Sequence, residues 1–147
     1  MSLASEFAQI MQKAEGQIAQ TMNTTFVDGL HEEIKQSVKD NVYANYFPKY
    51  YIRRDSGGIM NENYNRLTEQ ATAGNLAIVI ENTAPGNAQF EPTNGAGQPA
   101  DSVENDGPWN YPLTPDPGPR PFMEEAAEKY VGSGMAEAAL RAALASI

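Results

Sequence analysis

The sequence predicts an α+β fold in which N-terminal amphipathic helices and a C-terminal helix pack on a small antiparallel sheet. Three observations support this class. Apolar residues recur every three or four positions near both ends of the chain, which is the spacing of a helix. An apolar, β-branched run, "LAIVI" at residues 76–80, is typical of a strand. Between that run and the last helix lies a proline- and glycine-rich segment, residues 83–119. We therefore expect one domain over residues 1–147, with residues 83–119 as a long loop or arm.

The N-terminal region contains two consecutive helical patterns. Asn23 and the threonines after it interrupt the first pattern, and Thr25 with Asp28 has the spacing of a capping box. A helical hairpin or a bent helix is expected. The apolar positions of the first helix are Leu3, Phe7, Ile10, Met11, Ala14, Ile18 and Met22, and those of the second are Phe26, Val27, Leu30, Ile34 and Val38.

The sheet is predicted to form around a tight turn. Ala73, Gly74 and Asn75 can close a hairpin that folds residues 76–80 back onto residues 67–72. Because the strand is apolar on both faces, we expect helices to cover one face and another layer to cover the other.

The C-terminal helix is predicted to begin at Pro121, with Glu124 and Glu125 near its positive end. A break is expected at residues 132–134, "GSG", because glycine is costly inside a helix. The positions that share its first apolar face are Phe122, Ala126 and Tyr130.

A proline at every second position from Pro115 to Pro121 leads into this helix. Such a segment is stiff and extended and has little entropy left to lose on docking. We expect it to fix Phe122 as a buried anchor, against a neighbouring subunit or against the sheet. Trp109 and Tyr111 are candidates for the same role, since aromatic side chains with a polar group commonly anchor loops and interfaces.

The composition argues against catalysis and metal binding. The chain has no cysteine, and its one histidine, His31, lies beside Glu32 and Glu33, where we expect a solvated helix residue. The run "DSVENDG" at residues 101–107 does not have the spacing of a calcium-binding loop. We therefore predict no catalytic residue, no cofactor and no metal site, and a protein that is not an enzyme.

Charge and hydropathy bear on partners. The net charge is -9, and residues 83–119 carry five acidic side chains and no Lys or Arg. This balance disfavours non-specific binding to nucleic acid. No apolar run is long enough to span a membrane, and "MSLASEF" at the N-terminus does not resemble a secretion signal.

The stretch "VYANYFPKYYIRRDSGGIM", residues 42–60, places aromatic and basic side chains together. It could stack bases and bind phosphates, but Asp40 and Asp55 balance the local charge. A core or subunit-interface cluster is favoured. The residues that we assign to an interface from this stretch are Tyr46, Tyr50, Arg53 and Arg54.

Three short elements in order resemble a known family. They are "YFPKYYIRRDSGG", "LAIVIENTAP" and "RPFM" at the start of the last helix. Together they look like the neck proteins of long-tailed bacteriophages, also described as tail-completion or head–tail joining proteins. The matching positions are Tyr46, Pro48, Tyr50, Arg53, Arg54, Gly57 and Gly58, then Ile80, Glu81 and Asn82, and then Arg120, Pro121 and Phe122.

The resemblance implies a structural protein of the virion, made in the host bacterium and located at the phage neck. It implies a ring of identical subunits, usually six, between head-side connector proteins and the tail-terminator or tail-tube proteins. DNA would pass through the ring without specific binding, and an acidic lumen would let it slide. It adds Arg120 to the expected interface residues. Two alternatives from other classes remain: a module that binds single-stranded nucleic acid through the aromatic and basic stretch, and a small ligand-binding enzyme.

Overall fold

The structure, a computed structural model, describes residues 2–43, 59, 61–84 and 121–147. Within these residues the fold is α+β, as predicted: it is mostly helical, with one two-stranded antiparallel sheet. The predicted loop over residues 83–119 lies outside the described residues except for Thr83 and Ala84, and the aromatic and basic stretch lies outside them for the most part.

The N-terminal region is one continuous helical rod rather than two helices with a break. Its segments are α1 (Leu3–Thr21), a π-helical turn (Met22–Phe26), α2 (Val27–Ser37) and a second π-helical segment (Val38–Tyr43). The residues at the first two junctions, Met22 and Val27, keep right-handed helical backbone angles.

The predicted interruption at Asn23 is therefore a wider helical turn, and the predicted capping box at Thr25 is wrong. No side chain caps the start of α2. The polar residues of the turn stay in the helix because they find other partners. The Thr24 hydroxyl donates to the carbonyl of Gln20 at 2.9 Å, and the Asn23 side chain binds the backbone of a distant loop.

The sheet is the predicted hairpin, but it is shorter than expected. A 3₁₀ turn (Glu62–Tyr64) leads into β1 (Asn65–Glu69), which pairs antiparallel with β2 (Val79–Asn82). Thr72 and Asn75 pair at the turn, which confirms where the chain reverses. The register pairs are Asn65 with Asn82, Arg66 with Glu81, Leu67 with Ile80, and Glu69 with Val79.

The described residues cover the strand on one face only, where cover on both faces was predicted. Residues 76–78 precede the strand, and Leu76 and Val79 are each about two-fifths exposed. Since successive side chains of a strand point to opposite faces, Ile80 packs towards the core while Val79 faces outwards. The part of the chain that the structure describes supplies no second layer.

Two C-terminal helices follow, α3 (Phe122–Gly132) and α4 (Met135–Leu144). The predicted break lies between them, where Gly134 adopts a positive φ of 84°. This conformation is costly for residues with a Cβ atom, so glycine is suited to the position. Pro121 is the N-cap and Phe122 is the first helical residue, so the helix begins one position later than predicted.

The C-terminal helices return along the N-terminal rod. Phe122, at the start of α3, packs with Val38, and Tyr130, near its end, contacts Phe26. These contacts make α3 antiparallel to α2. Because α4 begins just after Tyr130 and packs on α1, it runs back along α1 towards the N-terminus. The N-terminal rod and the two C-terminal helices lie antiparallel, and we call this arrangement the helical hairpin. The π-helical turn of the rod and the break between α3 and α4 lie side by side in it.

The hairpin is uneven in length. α1 has 19 residues and α4 has 10, so α1 extends about 28 Å and α4 only about 15 Å. The returning helix is too short to cover the whole of α1. The described core instead lies at the other end of the hairpin, next to the sheet. Its buried members are Ile34, Val38, Ile59, Ala84, Phe122 and Ala126, with Tyr64, Ile80 and Met123 partly buried against them.

Candidate interaction surface

Phe122 is the largest fully buried side chain among the described residues, with 0% of its surface exposed. Its position follows from the sequence around it. Pro121 directly precedes α3, and the first turn of this helix is stabilised by Glu124 and Glu125 at its positive end. Phe122 is buried, as predicted, and it lies in the core of its own chain. Its role as an anchor for the proline-rich segment, and any role in contacts between subunits, stay predictions.

The two long segments outside the description both begin and end at this core. The first leaves after the second π-helical segment and returns at Ile59, and the second leaves at Ala84 and returns at Pro121. Ile59, Ala84 and Phe122 are buried in the same cluster. Of the predicted interface residues, those that belong to these segments lie outside the described residues: Tyr46, Tyr50, Arg53, Arg54, Trp109, Tyr111 and Arg120.

A buried amide ties these chain ends to the sheet. The Asn82 amide group donates to the carbonyl of Ile59 and to Oδ1 of Asn65, each at 2.8 Å. Its carbonyl oxygen accepts from the backbone N–H of Ala84 at 3.2 Å. Asn82 and Asn65 are both buried and face each other in the strand register. A buried amide with its hydrogen bonds made fixes the local geometry, so this pair holds residues 59 and 84 in place.

A second side-chain amide, that of Asn23, binds the loop of the β-hairpin to the N-terminal rod. The Asn23 amide group donates to the carbonyl of Ala71 at 2.9 Å, and its oxygen accepts from the N–H of the same residue at 2.7 Å. Ala71 is buried, so its backbone groups need such partners. From the sequence, Asn23 was expected only to break the helix. Its partner lies 48 positions away, and no local pattern indicates it.

The break between α3 and α4 also packs on the π-helical turn. The Tyr130 ring stands edge-on to Phe26, with centroids 5.4 Å apart and an angle of 68° between the rings. Its hydroxyl makes a long hydrogen bond of 3.5 Å to the carbonyl of Thr25. Burial raises the pKa of the Tyr130 phenol above its usual value of 10.0. A Cβ atom at Gly29 would collide with this ring, so glycine permits the close approach of the two helices.

His31 is partly buried, which corrects the prediction of a solvated residue. It lies one helical turn before Ile34, on the face that turns inwards, and its Nε2 is buried without a hydrogen-bond partner among the described residues. Within residues 2–43, 59, 61–84 and 121–147, no group of three or more His, Cys, Asp or Glu side chains is placed to hold a metal ion.

The first turns of α1 form an apolar surface that no described element covers. We call residues 3–13 the N-terminal arm. The Ser2 hydroxyl caps the arm by accepting from the N–H of Ser5 at 3.3 Å. All residues of the arm are exposed except Ser5, which is partly exposed. The exposed fractions of its large apolar side chains are 82% for Leu3, 63% for Phe7, 56% for Ile10 and 44% for Met11.

These side chains have an ordered spacing. From Leu3 the apolar positions advance by four, three and four residues through Phe7 and Ile10 to Ala14, the alternation that two associating helices use. Glu6 and Lys13 flank the stripe on the same edge, seven residues apart. The apolar face is evident in the sequence, but it was expected to be covered within the chain.

Residues 6–146 match the model of the family described as YomN. The chain belongs to the YomN family. This is a family of phage-derived proteins, from Bacillus prophage. The match includes the N-terminal arm from Glu6 onwards, the core and both C-terminal helices, and it supports the phage origin that the resemblance implied.

No curated protein and no solved structure matches this YomN-family chain. None of the helices within the described residues is both long enough and apolar enough to cross a membrane.

Proposed function

We propose that this YomN-family chain is a structural protein of the phage particle, a subunit of the connector between head and tail. The observation that carries the proposal is the match to a phage-derived family over residues 6–146. The neck-protein resemblance of the three short sequence elements makes the position more specific: a neck or tail-completion ring around the DNA channel.

The architecture suits a role in assembly. The described core holds together both ends of two long chain segments, and these segments contain the aromatic and basic residues predicted for subunit contacts. A rigid base from which two long segments leave and return can present them to neighbouring proteins. The exposed N-terminal arm adds a further surface for protein contacts.

The charge suits a place beside DNA that must move. With a net charge of -9, the chain is expected to repel phosphates, so a duplex would pass without being held. We propose other copies of this chain, head-side connector proteins and tail-terminator or tail-tube proteins as partners, and the virion neck as the location.

Deletion of the coding sequence from the phage tests this function. After induction, the lysate would be examined by negative-stain electron microscopy and the purified wild-type particles by mass spectrometry. A neck protein is expected to be present in the particles. Its loss is expected to leave DNA-filled heads and detached tails of normal length. Tails of abnormal length would instead place the protein at the tail terminator.

Complementation provides the control. Expression of the wild-type chain in trans, or of a Gly16→Ala variant, is expected to restore joined particles, because nothing lies within 4 Å of a Cβ atom built at Gly16. Normal yields of infectious, joined particles from the deletion phage would contradict the proposed function.

A further inference from the structure

We propose that the N-terminal arm binds the N-terminal arm of a second copy of this chain, as an antiparallel pair of helices. This contact is a surface for self-association, and it does not rest on the proposed place in the phage particle.

The arm exposes a stripe of apolar side chains with regular helical spacing. Leu3, Phe7 and Ile10 lie on one face of a capped helix and are each more than half exposed. Isolated helices of this length are marginal in water, and exposed apolar side chains gain free energy when they are covered. α4 has 10 residues and α1 has 19, so α4 is too short to run along the whole of α1.

The spacing of these apolar residues fits a contact between two helices. The intervals of four, three and four residues place Phe7 and Ala14 at one core position of a two-helix contact, and Leu3 and Ile10 at the other. In an antiparallel pair these positions face each other across the axis. Phe7 then packs on Ile10 of the second copy, and Leu3 packs on Ala14 of the second copy. Each large side chain meets a smaller one, and the arrangement is symmetric.

The charged side chains that flank the stripe are complementary only when the two helices are antiparallel. Glu6 and Lys13 occupy equivalent flanking positions one heptad apart. In the antiparallel pair, Glu6 of one copy lies beside Lys13 of the other, and the two-fold axis repeats this ion pair. In a parallel pair the same side chains would lie opposite Met11 and Ile18, which carry no charge. The sequence is therefore self-complementary in one orientation only.

The size of the surface sets the expected strength. Four large apolar side chains per copy bury much less than the roughly 1,200 Å² of a stable standard interface. The contact alone should be weak, with a Kd of about 100 µM or more. A two-fold contact closes at two copies, so within a larger assembly it would join subunits in pairs.

Sedimentation of the full chain over a range of concentrations tests the association. We expect a reversible dimer for the wild-type chain. Phe7→Glu is expected to weaken it more than about a hundredfold, because two buried rings are lost per dimer. Glu6→Lys and Lys13→Glu are each expected to weaken it about tenfold, because like charges then meet at both flanking pairs.

Mixing the two charge variants is the decisive control. Each variant alone repels itself, but a heterodimer of Glu6→Lys with Lys13→Glu again places opposite charges beside each other. We expect the mixture, and likewise the double variant in one chain, to regain the wild-type association. Circular dichroism and the unfolding midpoint of each variant should match the wild type, since the arm is exposed in the subunit.

A cross-linking test reads the orientation directly, whatever the size of the assembly. The chain has no cysteine, so variants Leu3→Cys and Ala14→Cys each carry one thiol. Under mild oxidation their mixture is expected to form a disulfide between the two different variants. A monomeric wild type up to about 1 mM, association unaffected by Phe7→Glu, or cross-links only between identical variants would each overturn the proposal.

Discussion

The two ends of the helical hairpin use the same kind of apolar pattern with opposite results. Where α2 and α3 lie side by side, Ile34, Val38 and Phe122 are almost completely buried. At the other end, Leu3 and Phe7 of α1 are among the most exposed apolar side chains described. The helical spacing is equally regular in both regions. The difference comes from the lengths of the segments, because the returning helices match α2 but stop short of the arm.

This comparison shows what periodicity does and does not determine. An apolar stripe identifies the face of a helix that should leave water, but it does not identify the element that covers it. The apolar face of α2 is covered by α3 and the sheet. The apolar face of the arm is not covered by any described residue, and we propose that a second copy covers it.

One matched pair of substitutions is expected to give the largest difference in stability between the two regions. Phe122→Ala removes a fully buried ring and should lower the free energy of unfolding by about 3–5 kcal/mol. Phe7→Ala, in the arm, should change it by less than about 0.5 kcal/mol at low protein concentration. Urea unfolding followed by circular dichroism measures both. Equal losses in the two variants would show that the arm is part of the subunit core.

A pair of glycines makes the same comparison with a smaller effect. A Cβ atom at Gly29 meets the Tyr130 ring, so Gly29→Ala should destabilise the subunit by about 1–3 kcal/mol through overpacking. Nothing lies near Gly16, in the less covered part of the rod, and Gly16→Ala should stabilise by about 0.5–1 kcal/mol. Thermal unfolding of the two variants gives the sign of each change. A stabilising Gly29→Ala would refute the close packing of α3 on α2.

The buried amide beneath the core should matter to a similar or lesser degree. Asn82→Ala leaves the carbonyl of Ile59 and the N–H of Ala84 without their partner and should cost about 1–3 kcal/mol. Asn75 is the control: its amide group donates to Glu69 on an exposed turn, so Asn75→Ala should cost less than about 0.5 kcal/mol. If urea midpoints of both variants equal that of the wild type, the amide does not hold the chain ends.

The smallest expected effect concerns pH. Burial raises the pKa of Tyr130, so the unfolded chain loses this proton at a lower pH than the folded chain. The resulting stabilisation is present below about pH 10, the unfolded pKa, and declines as the pH rises through the folded pKa. Tyr130→Phe should remove this part of the alkaline decline. Unfolding midpoints of both proteins between about pH 8 and pH 11 check the slope. Identical slopes would count against burial of the phenol.

Much of the fold could be predicted because its signals are local. The turn at residues 73–75, the break before Gly134 and the shared face of Phe122, Ala126 and Tyr130 each depend on neighbours a few residues apart. Glycine, proline and apolar spacing report such neighbours directly.

The errors concern features that depend on distant partners. Asn23 and Thr25 predicted a break in the helix, because polar and β-branched residues disfavour a helix interior. The helix continues because Asn23 binds Ala71, and Tyr130 packs on the widened turn. Likewise, the apolar strand run predicted cover on both faces, whereas the described residues cover the face of Ile80 and leave Val79 exposed. Neither outcome is visible in local spacing.

Amide hydrogen exchange on the full chain, measured at a low and at a high protein concentration, distinguishes cover of the arm by a second copy from cover by the same chain. We expect slow exchange at Ile34 and Val38 at both concentrations, because the core opens only with global unfolding. We also expect fast exchange over residues 7–13 in the dilute protein and clear protection in the concentrated one, where a second copy covers the arm. Protection of the arm that is equally strong at both concentrations would contradict this account, since the cover would then belong to the same chain.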